Sequence, residues 1–205
     1  MGKVYEIDGI VPVIDPTAFV HPDAVIIGDV IIGPRCYIGP CASLRGDLGR
    51  ITVGTGSNVQ DGCVIHSFPR ADVILEEDCH IGHGAVLHGC VIRKNALIGM
   101  GAVVMDRAEI GENCFVAAMA FVKGGTVAVA NSLLVGVPAA VSRTLTAEEI
   151  KWKEDGTLLY QRLAARSLAT LKEAKPLAVV EPDRKRTNWF EEDSVPLRML
   201  RKRGR

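Results

Sequence analysis

Three histidines, His66, His83 and His88, stand close together in the chain and carry the side chains best suited to chemistry. Imidazole is the commonest metal ligand among side chains. Three of them with a fourth position open form the ligand set of a catalytic zinc site rather than a structural one. Fe2+ and Co2+ accept the same donors, so Zn2+ leads with those two beside it. A metal held this way lowers the pKa of bound water toward neutrality and makes hydroxide available for hydrolysis. The competing reading is three polar turn residues on an inert surface. Which applies depends on the elements that carry them.

Those elements follow from a repeat. An aliphatic residue recurs every six positions through Val20, Ile26, Ile32, Ile38 and Leu44, then Val53, Val59 and Ile65. The series resumes at Leu75, Ile81 and Leu87, slips by one, and continues through Ile92, Ile98, Val104, Ile110, Val116 and Val122. A small residue often comes four later, as at Ala24, Cys36, Ala42, Cys63, Ala85, Ala96, Ala102 and Cys114. Helices need spacings of three and four, and exposed strands alternate, so six fits neither. It fits a short strand and a corner repeated as one side of a coil, with Gly, Pro, Asp and Asn in the corners. Such coils are stable only when stacked. Sequences of this kind resemble the left-handed parallel β-helix, an exception to the right-handed crossover rule. The expectation is an all-β, left-handed parallel β-helix of hexapeptide repeats and three-sided coils over residues 1–141, followed by a C-terminal α-helix.

Coils of three six-residue sides stack residues eighteen repeat positions apart. The step from Ile65 to Leu75 holds a four-residue bulge around Phe68-Pro69-Arg70-Ala71, and the step from Leu44 to Val53 holds a three-residue one. With both removed, His66 and His88 fall in one column, about 4.8 Å apart, with Arg45 one coil below. His83 has another phase and projects near a corner, away from that column. A neighbouring subunit presenting this corner would complete the set, which implies a closed homo-oligomer.

Around the column lie Arg45-Gly46-Asp47 and Gln60-Asp61. Arg45 offers a planar fork to a carboxylate, with Asp61 as a buried or interfacial partner, and Asp47 meets an Arg across subunits. For Arg45, Asp47 and Asp61, an interface network and a catalytic part are both open. Gln60 is expected near the metal, orienting water or a substrate oxygen. His80 reads as a solvated neighbour and His21 as a structural corner residue.

The 205-residue chain is 48% hydrophobic and 23% charged with a formal net charge of zero, as for one globular domain with an appendage. No global field favours nucleic acid or an anionic membrane. The most apolar stretch, Val127 to Val141, is interrupted by Asn131, Ser132 and Pro138 and is too short to span a bilayer. No signal-type leader opens the chain, which argues against secretion. Cys36, Cys63, Cys79 and Cys114 take the inward small phase and read as core, so a reduced cytoplasm is the expected location. Cys41 has no assigned role. For Cys90, close to His88, core or turn filling is favoured over a metal contact.

From Ser142 the pattern changes. Thr146-Ala147-Glu148-Glu149 is a capping box, and a helix packed on the β-helix is expected within 142–176, ended by Lys175-Pro176. Leu159, Leu163, Ala164, Leu168 and Leu171 supply its apolar face, and Gly156 weakens its early part. Residues 177–205 form an extended basic tail ending Arg201-Lys202-Arg203-Gly204-Arg205, interrupted by Glu191, Glu192 and Asp193.

Arg45-Gly46-Asp47, Gln60-Asp61 with His66, and Ile81-Gly82-His83-Gly84-Ala85-Val86-Leu87-His88-Gly89-Cys90 closely resemble the γ-carbonic-anhydrase-like family. The likeness covers roughly Val11 to Val141. It implies a left-handed β-helix homotrimer with metal at each subunit interface, His66 and His88 from one chain and His83 from the next. Ser43 to Arg50, Val64 to Pro69, Val91 to Leu97, Trp152-Lys153, Gly156-Thr157, Tyr160-Gln161 and Val180 to Arg186 look more narrowly like the PaaY-type phenylacetic acid degradation group, close to the CaiE type. That likeness implies a metal-dependent thioesterase for CoA esters of phenylacetate-like acids.

One departure bears on the choice. Family members efficient with CO2 carry glutamates that move protons near the metal, whereas Leu48 follows Asp47 here and the loop after His66 offers only Asp72. Phe68 and Arg70 in that loop suit an aryl-acyl group and CoA phosphates. The expected chemistry is attack of hydroxide on a thioester carbonyl, with Gln60 at the oxyanion and Asp61 positioning protons. Slow carbonic anhydrase activity and a catalytically poor trimeric scaffold are the rivals.

Overall fold

The computed structural model describes residues 2–187. It is a parallel β-solenoid of about seven turns with one helix at its C-terminal end. The inward aliphatic residues stack in continuous rows. On one face the row is Val20, Ile38, Val59, Ile81, Ile98, Val116 and Leu134, each paired in parallel with the next. On a second it is Ile26, Leu44, Ile65, Leu87, Val104 and Val122. The third carries Ile32, Val53, Leu75, Ile92, Ile110 and Ala128. From Ile26 to Val122 these side chains are sealed from solvent. Each buried Leu or Ile contributes about 1.5–3 kcal/mol by apolar burial, so the stack is held by repetition.

Both expected bulges are present and they set the register. Val25–Ile32 pairs with Ser43–Val53, and the pairing jumps between Gly28↔Gly46 and Val30↔Ile51. The extra residues fall at Asp47–Arg50. Gly46 is required there, since a Cβ would sit 2.5 Å from the Asp29 carbonyl oxygen. The second bulge is closed by the Phe68↔Ala71 bridge. The two long strands run round one corner of the prism, so two faces form a 12-stranded sheet and the third an 8-stranded one. Cys36, Cys63, Cys79, Cys90 and Cys114 are buried free thiols, and Cys41 is exposed.

The helix spans Ala147–Thr170, with Thr146 and Glu149 forming the capping box and Gly156 accommodated inside it. It ends sooner than Lys175-Pro176 suggested. Among the described residues beyond Ala164 none is buried, and a helical turn without packing is not self-sustaining. Its face also differs from expectation. Leu168 and Leu171 are half exposed, while the buried positions are Glu149, Lys153, Thr157 and Ala164. Lys153 reaches into the solenoid, where its Nζ donates to the Asp78 carbonyl and to Asn95 Oδ1. Asn95, Asn113 and Asn131 then form a ladder of side-chain hydrogen bonds of 2.7 and 2.9 Å along one corner. Among the described residues no helix is long and apolar enough to cross a membrane. Residues 177–187 are exposed, and the basic end Arg201–Arg205 lies outside the described residues.

Candidate functional site

The register places Arg45, His66 and His88 directly above one another on the second face. Parallel pairing fixes their backbones one strand spacing apart. The side chains close further, with His66 Nδ1 3.3 Å from His88 Nε2 and ring centroids 5.2 Å apart.

Carboxylates hold the opposite nitrogens of both rings. His66 Nε2 lies 3.0 Å from Asp47 Oδ1, and His88 Nδ1 lies 2.6 Å from Asp106 Oδ1. An ionised carboxylate only accepts, so each far nitrogen must carry a proton and donate. In neutral imidazoles the facing nitrogens are then both unprotonated, with two lone pairs directed at one small volume. Partial desolvation pushes the Asp47 carboxyl up, but hydrogen bonds from Arg45 and His66 and the Arg45 charge bring it below the ordinary carboxylate value. Arg45 Nη1 reaches Asp47 Oδ2 at 2.7 Å. Carboxylates behind imidazoles are the usual arrangement around metal-ligating histidines, where they fix the tautomer and raise basicity.

His83 stands on a different corner and follows the same rule. Its Nδ1 lies 2.6 Å from Asp61 Oδ2, with both side chains nearly half exposed, at 45% and 48%. Among the described residues, no group of three or more His, Cys, Asp or Glu in one chain gathers around a metal position.

Several expectations change here. Within one chain Arg45 pairs with Asp47 and Asp61 pairs with His83, so Arg45 and Asp61 do not meet in the same chain. The reason is reach: Asp47 lies in the bulge beside Arg45, whereas Asp61 lies on another corner. Gln60 does not approach the His66–His88 pair of its own chain. It is buried, with its side-chain amide 2.6 Å from His80 Nε2 and 2.9 Å from Asn58 Oδ1. His80 is not a solvated neighbour. Tyr160 covers it edge-on at 5.3 Å. Desolvation, with a smaller part from the charges of Lys153 and His83, pushes its pKa down to about 3. His21 stays structural, its Nδ1 accepting the Asp23 amide at 3.1 Å. Cys90 is wholly buried, and its thiol is pushed up to about 12 chiefly by desolvation.

Asp106 was missed in the sequence. The position above His88 in its column is Met105, and the orienting carboxylate comes one residue later, at the corner. Asp72 is already engaged, since its Oδ1 accepts the Arg50 amide at 2.9 Å and ties the two bulges together. Phe68 lies over the pair, its ring 5.9 Å from that of His88, and is half exposed. Arg70 is exposed at the tip of the same loop, in the left-handed region at φ 66°.

The chain is similar to known proteins over most of its length. The family model described as bacterial transferase hexapeptide (six repeats) matches residues 12–46 and 89–124. The carnitine operon protein CaiE of Salmonella agona is 54% identical over 89% of this chain and 92% of its own. A putative acetyltransferase from Bacillus cereus superimposes with a TM-score of 0.81 at 38% identity, covering 82% of this chain and 97% of that one. A hexapeptide transferase family protein from Anaplasma phagocytophilum gives 0.77 at 37%, covering 79% and 96%.

Proposed function

Because the chain belongs to the hexapeptide-repeat family of the carnitine operon protein CaiE, we propose that it is a metal-dependent hydrolase of CoA thioesters, of the PaaY type, with phenylacetate-like acyl groups. The observation that carries this reading is the approach of His66 Nδ1 and His88 Nε2 to 3.3 Å, with Asp47 and Asp106 on the far nitrogens. Facing lone pairs repel unless a proton or a cation lies between them. Two carboxylates keep protons on the far sides; a second proton on one ring or a metal cation would relieve the repulsion, and the cation is the occupant proposed. His66 and His88 would hold Zn2+, or Fe2+ or Co2+ where these are more available. The third ligand is His83 of a neighbouring copy, in a homotrimer with one site at each interface. Such an ion supplies Lewis acidity toward water and toward a carbonyl oxygen.

The chain's own groups do the rest. Asp47, Asp106 and Asp61 fix the proton of His66, His88 and His83 respectively, and Arg45 keeps Asp47 ionised. Gln60 would come with the same neighbour as His83; its amide nitrogen is held by Asn58 and His80, so donation to the oxyanion requires that pairing to give way. Phe68 covers the acyl side and Arg70 meets the phosphates of CoA. In the reaction water gives its oxygen to the acyl carbon, the C–S bond breaks, and CoA leaves as the thiol with one proton of that water.

Acyl transfer, suggested by the transferase names of the solved relatives, breaks the same C–S bond with a different acceptor. CO2 hydration uses the same activated water, but Asp72 is engaged by the Arg50 amide and gives little support as a proton shuttle. The deciding experiment is release of free CoA from a phenylacetyl-type CoA panel by metal-loaded protein. Chelator-sensitive release without any added acceptor supports the hydrolase. Release only with an amine or alcohol present would make it a transferase, and none at all would turn attention to CO2 or to a scaffold role.

A further inference from the structure

Between the helix and the solenoid lies a groove of about 720 Å³, within the range of small-molecule sites. Leu97, Met100 and Phe115 line it from the solenoid side. The helix contributes Trp152, Gly156, Leu159 and Leu163, spaced four, three and four apart, hence one stripe of its surface. This is a second apolar stripe, distinct from the one that seats Lys153 and Thr157 against the coils. Among the described residues no Asp or Glu lines the groove, its polar end is made of Gln60, His80 and His83, and Lys153 borders it on the helix side.

Gly156 supplies an independent observation. A glycine inside a helix is unfavourable relative to alanine. A Cβ added at Gly156 would nevertheless meet nothing within 4 Å. Packing within the chain therefore does not demand glycine here. The missing side chain keeps the groove open on the helix side.

We propose that this groove is the acyl-binding half of the site, taking the uncharged apolar acyl group of a CoA thioester with its carbonyl toward Gln60 and His83. Gly156 is the position that sets how bulky that group can be. The assignment rests on the hydrolase reading for its substrate class. It follows from charge and shape: an acid-free apolar trough ending in amide and imidazole groups suits a carbonyl with a hydrocarbon or aryl tail. Lys153 borders the groove, but its Nζ is turned away to the Asp78 carbonyl and Asn95, so the phosphates of a CoA headgroup would find no free cation from it there.

The test pairs binding with turnover. The probe is a CoA thioether bearing a phenylethyl group, which cannot be hydrolysed, titrated by calorimetry into chelator-treated wild-type protein and into Gly156→Leu. The wild type should bind it at least tenfold more tightly than S-methyl-CoA, and Gly156→Leu should remove that preference. In turnover, the ratio of kcat/KM for phenylacetyl-CoA over acetyl-CoA should fall at least tenfold in Gly156→Leu. Leu163→Phe, a milder filling, should lower it in the same direction. Thioether preference in a protein that hydrolyses nothing would sink the hydrolase reading and keep the groove. Hydrolysis with an unchanged aryl/acetyl ratio in both variants would overturn the groove assignment and keep the hydrolase. A wild type with no aryl preference, whose Gly156→Leu variant loses its oligomer on light scattering, would also overturn it, making the groove a subunit interface.

Discussion

His66 Nδ1 and His88 Nε2 face each other at 3.3 Å with their protons held on the far side of each ring, by Asp47 and by Asp106. This pairing is unfavourable by itself and favourable around a cation. It arises because parallel coils place identical phases of the repeat one strand spacing apart, so two imidazoles project side by side from neighbouring strands. The carboxylates then decide which nitrogen of each ring is a donor. Metal affinity should therefore depend on residues that never touch the metal.

Asp106→Asn is expected to weaken metal binding about 10- to 100-fold, the usual cost of losing an orienting carboxylate. His88→Ala should abolish both metal retention and hydrolysis while leaving the coil stack folded, because His88 lies on the outside of a face whose inward residue is Leu87. Metal content by mass spectrometry and melting by circular dichroism measure the two properties separately. Full turnover by His88→Ala would remove the metal mechanism.

The loop after His66 offers two contacts that separate in kinetics. Arg70 is exposed, and an exposed ion pair is worth roughly 0.2–1 kcal/mol. Arg70→Ala should thus raise KM for every CoA ester about 1.4- to fivefold and leave kcat alone. Phe68 covers the histidines, so Phe68→Ala should act on aryl esters more than on acetyl-CoA. An unchanged KM in Arg70→Ala would take the loop out of CoA recognition.

Much of this is legible in the sequence. A row of aliphatics at a period of six admits one architecture, and counting the two bulges correctly placed Arg45, His66 and His88 in one column. What could not be read was which corner groups turn toward one another. Asp106 is one residue out of phase with His88, and only the path of the corner brings its carboxylate within 2.6 Å. His80 looks outward by phase, yet Tyr160, eighty residues later, folds over it. Lys153 interrupts an apolar pattern and would not be assigned to the interior without knowing that the Asn95–Asn113–Asn131 ladder ends where its Nζ arrives.

His80 should make the fold sensitive to acid. Burial pushes its pKa down to about 3 from an ordinary 6.5, so the unfolded chain binds a proton at a pH where the native one does not. Its share of stability is complete above pH 6.5 and declines as pH falls toward 3, at about 1.4 kcal/mol per unit. In urea titrations at pH 7 and pH 4.5, His80→Gln should lose less stability between the two than wild type. Equal losses would mean that His80 is protonated in the native state.

Lys153 works at the other end of the scale. Desolvation lowers its pKa to about 8 from 10.5, although Asp78 and Asn95 accept its hydrogen bonds. Below pH 8 the folded protein holds a charge that is costly to bury. Between pH 8 and 10.5 the unfolded chain binds the extra proton, so this residue makes stability rise with pH across that window. Thiols of the unfolded chain ionise near pH 9 and pull the other way, which makes a difference between proteins the right measurement. Lys153→Met keeps the length of the side chain and removes the charge. Relative to wild type it should be least unfavourable at pH 7 and lose ground by pH 9, by about 1 kcal/mol. Loss of two hydrogen-bond partners at Asp78 and Asn95 offsets the relief of desolvation, so the sign at pH 7 is less telling than the slope. A flat difference between pH 7 and 9 would show that Lys153 stays fully protonated in the native helix seat, with the amide ladder stabilising its charge as well as water does.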